Sequence, residues 1–130
     1  VAEARGIKPL ARIISTVSVG VPPEVMGIGP AYAIPKVLQN AGMEMKDVDY
    51  FEINEAFAAQ WLACNRELKI PMDRINANGS GISLGHPNGQ TGIRLIIACI
   101  YELQKRGQKI GCASLCAGGG PAGAALIELL

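Results

Sequence analysis

Histidine occurs once in this chain of 130 residues, at His86, and charged residues make up only 18% of it against 49% hydrophobic. That balance argues against a disordered chain and leaves apolar material for one domain with its own core. The formal net charge of +1 gives no electrostatic basis for binding nucleic acid or an anionic membrane. The one small basic cluster, Lys105, Arg106 and Lys109, falls at a predicted helix end, where positive charge complements the helix dipole. The longest apolar run, residues 95–101, is too short to span a bilayer, and no signal-peptide pattern is visible. The chain opens at Val1 and is expected to be a piece of a longer polypeptide.

Cysteine is sparse too, and its spacing excludes the usual uses. Cys64 and Cys99 fall among apolar residues in predicted helices and read as small buried hydrophobes. Cys112 and Cys116 are four apart on a predicted strand, ~13 Å at strand rise, too far for a local disulfide or a zinc knuckle. No metal site and no disulfide framework are expected, and a reducing compartment, the cytoplasm, is the natural setting.

What is present is an alternation of strand and helix signals. The β-branched run at residues 10–19 reads as a strand. A loop broken by glycine and proline follows, and Pro30 suits the first turn of a helix carrying Ile34, Val37, Leu38 and Ala41, with Gly42 ending it. Residues 49–53 read as a short strand. A helix from about Glu55 has Phe57, Trp61, Cys64 and Leu68 as its stripe, closed by Pro71. "RINAN", residues 74–78, reads as another short strand. The glycine-rich stretch 79–92 feeds a helix with Ile93, Ile96, Ile97, Ile100 and Leu103 along one face, stopped by Gly107. "KIGCASLC" and "GAALIEL" are two strands joined by a wide glycine turn.

The predicted order is therefore β-α-β-α-β-α-β-β, an α/β domain with a mainly parallel sheet, right-handed crossovers and one antiparallel strand from the last hairpin. The strands are apolar on both faces, which predicts burial on both sides. With helices on one face, the other needs cover from a second copy or from another part of the same protein. No internal repeat is visible.

Sites in such sheets lie at the carboxyl ends of strands. Asn54 ends the second predicted strand, His86 lies in the loop after the third, and Cys116 ends the fourth, before Gly118, Gly119 and Gly120. Each has a plain reading. Asn54 is a good helix N-cap with Glu55 behind it, His86 a loop hydrogen-bonder, Cys116 a packed thiol, and the glycines a turn. Gly118, Gly120 and Gly123 match G-x-G-x-x-G, but no helix follows and Pro121 interrupts, so the dinucleotide fingerprint is rejected. The glycines have a better use in letting backbone N–H groups approach a reacting oxygen, as an oxyanion hole requires.

Taken together, "NEAFA", "NGSGISLGHPNGQTG" and "CAGGGPAGAAL", in that order, with "MGIGPAYAI" upstream, resemble the C-terminal domain of a thiolase across essentially the whole chain. The resemblance implies a half of β-α-β-α-β-α-β-β order stacked on a similar N-terminal half in helix, sheet, helix, sheet, helix layers. It implies an acyl-CoA C-acyltransferase that makes or cleaves 3-oxoacyl-CoA, most closely an acetyl-CoA acetyltransferase. Acyl-CoA and CoA would be the substrates, with no tightly bound cofactor, and the whole protein would be a homo-oligomer, a dimer or a tetramer. Residue by residue, Cys116 would be the acid/base cysteine. His86 would activate the nucleophile and donate to the thioester oxygen. Asn54 would hold a water there, and the Gly118 N–H would join an oxyanion hole. Met26 and Phe57 would line the acyl pocket.

The nucleophilic cysteine that this family carries in its first half is missing, since no cysteine precedes "NEAF", so the chain alone is expected not to turn over. Gly79, Ser80 and Gly81 stand where family members often have Gly-Gly-Ala, and Gln90 and Ala117 also depart from common choices. A decarboxylating β-ketoacyl synthase would need a second histidine or an asparagine in place of Cys116. The sterol-carrier branch would place histidine in the Asn54 motif. The remaining alternative is a non-catalytic thiolase-like subunit or scaffold.

Overall fold

The computed structural model describes residues 1–130. The β-branched run forms β1 (Ala11–Gly20), and a 3-10 segment over Pro23–Ile28 leads into α1 (Gly29–Ala41). Gly42 ends α1 in the left-handed region and returns its N–H to the carbonyls of Gln39 and Leu38, the usual way a helix satisfies its last acceptors. The chain continues through β2 (Tyr50–Ile53), α2 (Ala58–Leu68), the single turn α3 (Gly81–Leu84), α4 (Thr91–Arg106), β3 (Ile110–Cys116) and β4 (Pro121–Leu129).

The sheet is mixed, in the order β1-β4-β3-β2. β2 and β3 pair in parallel, while β4 is antiparallel to both β3 and β1. β1, β2 and β3 thus run the same way, as expected, but the last strand does not sit at an edge. It inserts between β1 and β3, so hydrogen-bonded neighbours are mostly antiparallel rather than mainly parallel.

Helices cover both faces, which corrects the expectation of helices on one. On one face Ala33, Ile34, Val37 and Leu38 of α1 and Trp61 of α2 pack with Phe51, Ile53, Cys112 and Leu126. On the other, Cys99 and Leu103 of α4 pack with Tyr50 and Ile127. Strand alternation explains the division, because Tyr50 and Phe51 point to opposite faces. On the α4 side an apolar groove lined by Leu95, Ile96, Leu115 and Ala125 remains uncovered within the chain.

α4 is rotated relative to its predicted stripe. Leu95, Cys99 and Leu103 are its buried apolar positions, whereas Ile93 and Ile97 are 54% and 45% exposed. Up to Tyr101 the helix carries apolar side chains on two adjacent stripes, Leu95 with Cys99 and Ile93 with Ile97 and Tyr101, and its periodicity does not choose which of them meets this sheet.

The predicted strand at 74–78 is reduced to one parallel bridge, Ile75 to Phe51. Asn76 is the reason. Its backbone takes a left-handed φ of 47°, which ends an extended segment. Its carboxamide then does the work of a strand. Oδ1 accepts the Ile53 N–H at 2.8 Å, and Nδ2 donates to the Ile53 carbonyl at 2.7 Å. Removing that carboxamide leaves both groups of a buried residue without partners. Asn76→Ala is expected to lower the unfolding free energy by roughly 2–3 kcal/mol, read from the urea midpoint at unchanged slope. A change inside the error of the measurement would refute this account of the sheet edge.

Candidate active site

Parallel pairing brings the carboxyl ends of β2 and β3 side by side. Ile53 lies opposite Ser114, and the Asn54 N–H donates to the Ser114 carbonyl at 3.0 Å. Cys116 follows two residues on, and the segments beyond each strand form two walls of a pocket of about 370 Å³. Asn54, Glu55, Ala56 and Phe57 come from the β2 end, and Cys116, Ala117 and Gly118 from the β3 end. The 3-10 segment before α1 contributes Met26. The stretch between Asn76 and α4 contributes Gly81, Ile82 and His86. All six residues singled out in the sequence, Met26, Asn54, Phe57, His86, Cys116 and Gly118, therefore line one cavity.

Asn54 does not cap a helix. α2 begins only at Ala58, and its first turn is closed by Gln60, whose Oε1 accepts the Ala56 N–H at 3.1 Å. The Asn54 side chain is buried and its Oδ1 has no hydrogen-bond partner in the chain. An unpaired buried carboxamide oxygen is costly in a structural position, and here it stands at the edge of a cavity. Phe57 likewise lies outside α2 rather than on its stripe, and is 68% exposed. Glu55, expected behind a helix cap, instead ties two segments together. It accepts from Asn76 Nδ2 and from the Ile82 N–H, each at 3.3 Å. A Cβ at Gly81 would lie 2.7 Å from the Glu55 carbonyl oxygen and 2.8 Å from Asn54 Oδ1, so only glycine lets this turn press against the asparagine.

Cys116 is buried, and burial pushes its thiol pKa up, so it rests with its proton on sulfur. Cys64, Cys99 and Cys112 are buried as well, all four thiols are unpaired, and burial raises each of their pKa values. Gly118 lines the cavity, and a Cβ built on it would meet nothing within 4 Å. Gly120, by contrast, takes φ +105° and its α-carbon faces the Val21 carbonyl, so it serves the turn and not the cavity. No group of three or more histidine, cysteine or acidic side chains is placed to hold a metal ion.

His86 is held from behind. Its Nδ1 lies 2.7 Å from the hydroxyl of Thr91, the first residue of α4 and only 2% exposed. Thr91 was absent from the candidates read in the sequence. The available signal was a hydroxyl residue five positions after the histidine, where a glycine-rich loop turns into a helix.

The family model for the thiolase C-terminal domain matches residues 7–129. The chain belongs to the thiolase family. An acetyl-CoA acetyltransferase of Syntrophomonas wolfei is 47% identical over 131 residues, covering 99% of this chain and 33% of its own length. The crystal structure of the Bacillus anthracis acetyl-CoA acetyltransferase superposes with a TM-score of 0.95 at 50% identity, over 99% of this chain and 33% of that one. Human mitochondrial 3-ketoacyl-CoA thiolase, solved in complex with CoA, gives 0.96 at 42% identity, over 99% and 33%. The thiolase chain described here thus spans about a third of the length of the curated relatives it matches.

Proposed function

We propose that this chain forms the C-terminal catalytic domain of an acyl-CoA C-acyltransferase that cleaves or makes 3-oxoacyl-CoA, with acetoacetyl-CoA as the substrate to be expected from its acetyl-CoA acetyltransferase relatives. One observation carries the reading: an amide, an imidazole and a thiol, 32 and 30 residues apart in sequence (positions 54, 86 and 116), line one cavity at the carboxyl ends of two parallel strands.

In the cleavage direction, His86 takes the proton of the nucleophilic cysteine of the upstream half, and the sulfur attacks the 3-oxo carbon. The bond between C2 and C3 breaks, the acyl group stays on that sulfur, and the electron pair moves onto the thioester as an enolate. His86 and a water held by Asn54 donate to the enolate oxygen. Cys116 delivers its proton to C2, releasing acetyl-CoA. CoA then attacks the acyl-enzyme, its thiol proton passes to the Cys116 thiolate, and the nucleophilic sulfur leaves and regains its proton from His86. Preset donors around an oxyanion are typically worth ~2.7–4 kcal/mol each, which is why the chemistry needs an amide and an imidazole beside the thiol. The Gly118 N–H would serve a second oxyanion hole, and Met26 and Phe57 would bound the acyl group. The exposed Ile93 and Ile97 stripe of α4 and the bare groove beside it suit the upstream half as the covering body. Four unpaired thiols suit a reducing compartment such as the cytoplasm.

The test joins this chain to the upstream portion its relatives possess and follows CoA-dependent loss of acetoacetyl-CoA. Turnover supports the reading. A folded, acyl-CoA-binding protein without turnover would favour the non-catalytic module instead.

A further inference from the structure

The Thr91 hydroxyl has one proton and two neighbours that could accept it, the Pro87 carbonyl at 3.3 Å and His86 Nδ1 at 2.7 Å. If the proton points at Nδ1, the carbonyl and the hydroxyl oxygen face each other with lone pairs only. If it points at the Pro87 carbonyl, both contacts become hydrogen bonds, provided the imidazole proton sits on Nδ1. We infer that Thr91 is a positioning residue: donating to Pro87 and accepting from His86 Nδ1–H, it keeps Nε2 as the ring nitrogen that exchanges protons with the cavity.

Three features of the structure support this direction. Thr91 is buried at the first position of a 16-residue helix, so its hydroxyl is anchored by a rigid element rather than by the loop. The Pro87 carbonyl also accepts the Gln90 N–H at 3.1 Å, which fixes the acceptor that Thr91 needs. The chain Nδ1–H to Oγ1 to Pro87 carbonyl is also identical for the neutral ring and for the imidazolium. A proton can therefore arrive at Nε2 and leave again without any hydrogen bond behind the ring reversing. A preset environment of that kind removes reorganisation from the barrier, and the tautomer is set by the partner of the other nitrogen.

The inference concerns the same histidine as the proposed function and, for its catalytic consequence, rests on that reading. Its test is separable. In the full-length chain with ¹⁵N-labelled histidine, the ring nitrogens of His86 are assigned by their loss in His86→Asn and observed at a pH where the ring is neutral. The wild type and Thr91→Ser are expected to show a protonated Nδ1 and a bare Nε2. Thr91→Val, which keeps the shape but neither donates nor accepts, is expected to shift the population toward Nε2–H. In the thiolysis assay Thr91→Val should lower kcat roughly 10- to 100-fold with KM nearly unchanged, and Thr91→Ser should restore it. A wild type whose neutral ring carries its proton on Nε2, or a Thr91→Val protein with an unaltered tautomer, overturns the inference even in an active enzyme. A tautomer shift in a protein without thiolysis activity upholds Thr91 and overturns the proposed function.

Discussion

Replacing Cys116 by alanine is expected to cut kcat for acetoacetyl-CoA cleavage by roughly 10²- to 10⁴-fold, the range for loss of a positioned proton donor. The expectation follows from what burial does to this thiol. Its pKa is pushed up, so at neutral pH it holds the proton that the enolate carbon would receive in the proposed reaction. Alanine removes that proton and places nothing else at the site. The change takes one sulfur from a position near the start of α1, where a Cβ on Gly29 would come within 3.7 Å of the Cys116 Cβ. The fold should tolerate the small void at a cost on the order of 1 kcal/mol, and an unchanged circular dichroism spectrum checks this. The most direct measurement is exchange of the acetyl-CoA methyl protons in D₂O, which reports proton movement at C2 and nothing else. Exchange and thiolysis should fail together. Exchange at the wild-type rate in Cys116→Ala would remove Cys116 from the reaction.

Glu52→Gln is expected to stabilise the protein above neutral pH by an amount near 3 kcal/mol. Glu52 sits on β2 with no exposure to solvent. Oε1 accepts the Tyr50 hydroxyl at 2.8 Å, while Oε2 has no partner. Burial raises its pKa from 4.5 to about 7, against the Tyr50 hydrogen bond and the Arg94 charge, which both pull it down. Below pH 4.5 the folded and unfolded chains both hold the proton and Glu52 costs nothing. Between pH 4.5 and about 7 the unfolded chain releases it and the folded chain does not, so stability falls as pH rises. Above that window both are ionised and the loss is complete, at roughly 3 kcal/mol for a gap of that size. Glutamine has nearly the same shape and never ionises. The two proteins should therefore match at pH 4 and separate as pH rises toward 8, in thermal or urea melts. Glu102, whose pKa is held down by hydrogen bonds from Asn78 and Arg106, gives a slope of opposite sign that is common to both proteins, apart from its repulsion of Glu52, the last of the causes of the Glu52 shift. A Glu52→Gln protein less stable than wild type at pH 8 would mean that the ionised carboxylate is favourably held by Arg94, and would overturn the expectation.

Element types were readable from the sequence wherever a periodic run met a clear stop. Pro30 and Gly42 bracket α1, Gly107 ends α4, and the β3–β4 hairpin follows from two apolar runs around glycines. The fate of residues 74–78 was not readable, because Asn76 ends the strand through a contact with Ile53, 23 positions away. The facing stripe of α4 was ambiguous for a different reason: both of its stripes are apolar, and which one meets this sheet depends on what covers the other. The position of β4 between β1 and β3 is a matter of tertiary pairing, on which the apolar pattern is silent. At the cavity, Asn54, His86 and Cys116 could be read because each ends a strand or sits in a loop of unusual composition. Thr91 offered only a weak signal, a hydroxyl five positions after the histidine, since its contact with His86 arises from a turn that brings the two together.

The substitute strand at the outer side of β2 has a further effect, on self-association. A backbone segment laid there would have displayed a fresh row of donors and acceptors, ready to template another chain. A lone carboxamide that satisfies Ile53 on its inner side repeats no such row on its outer side. The ladder stops with Asn76, and the β2 border of the sheet closes without a further strand.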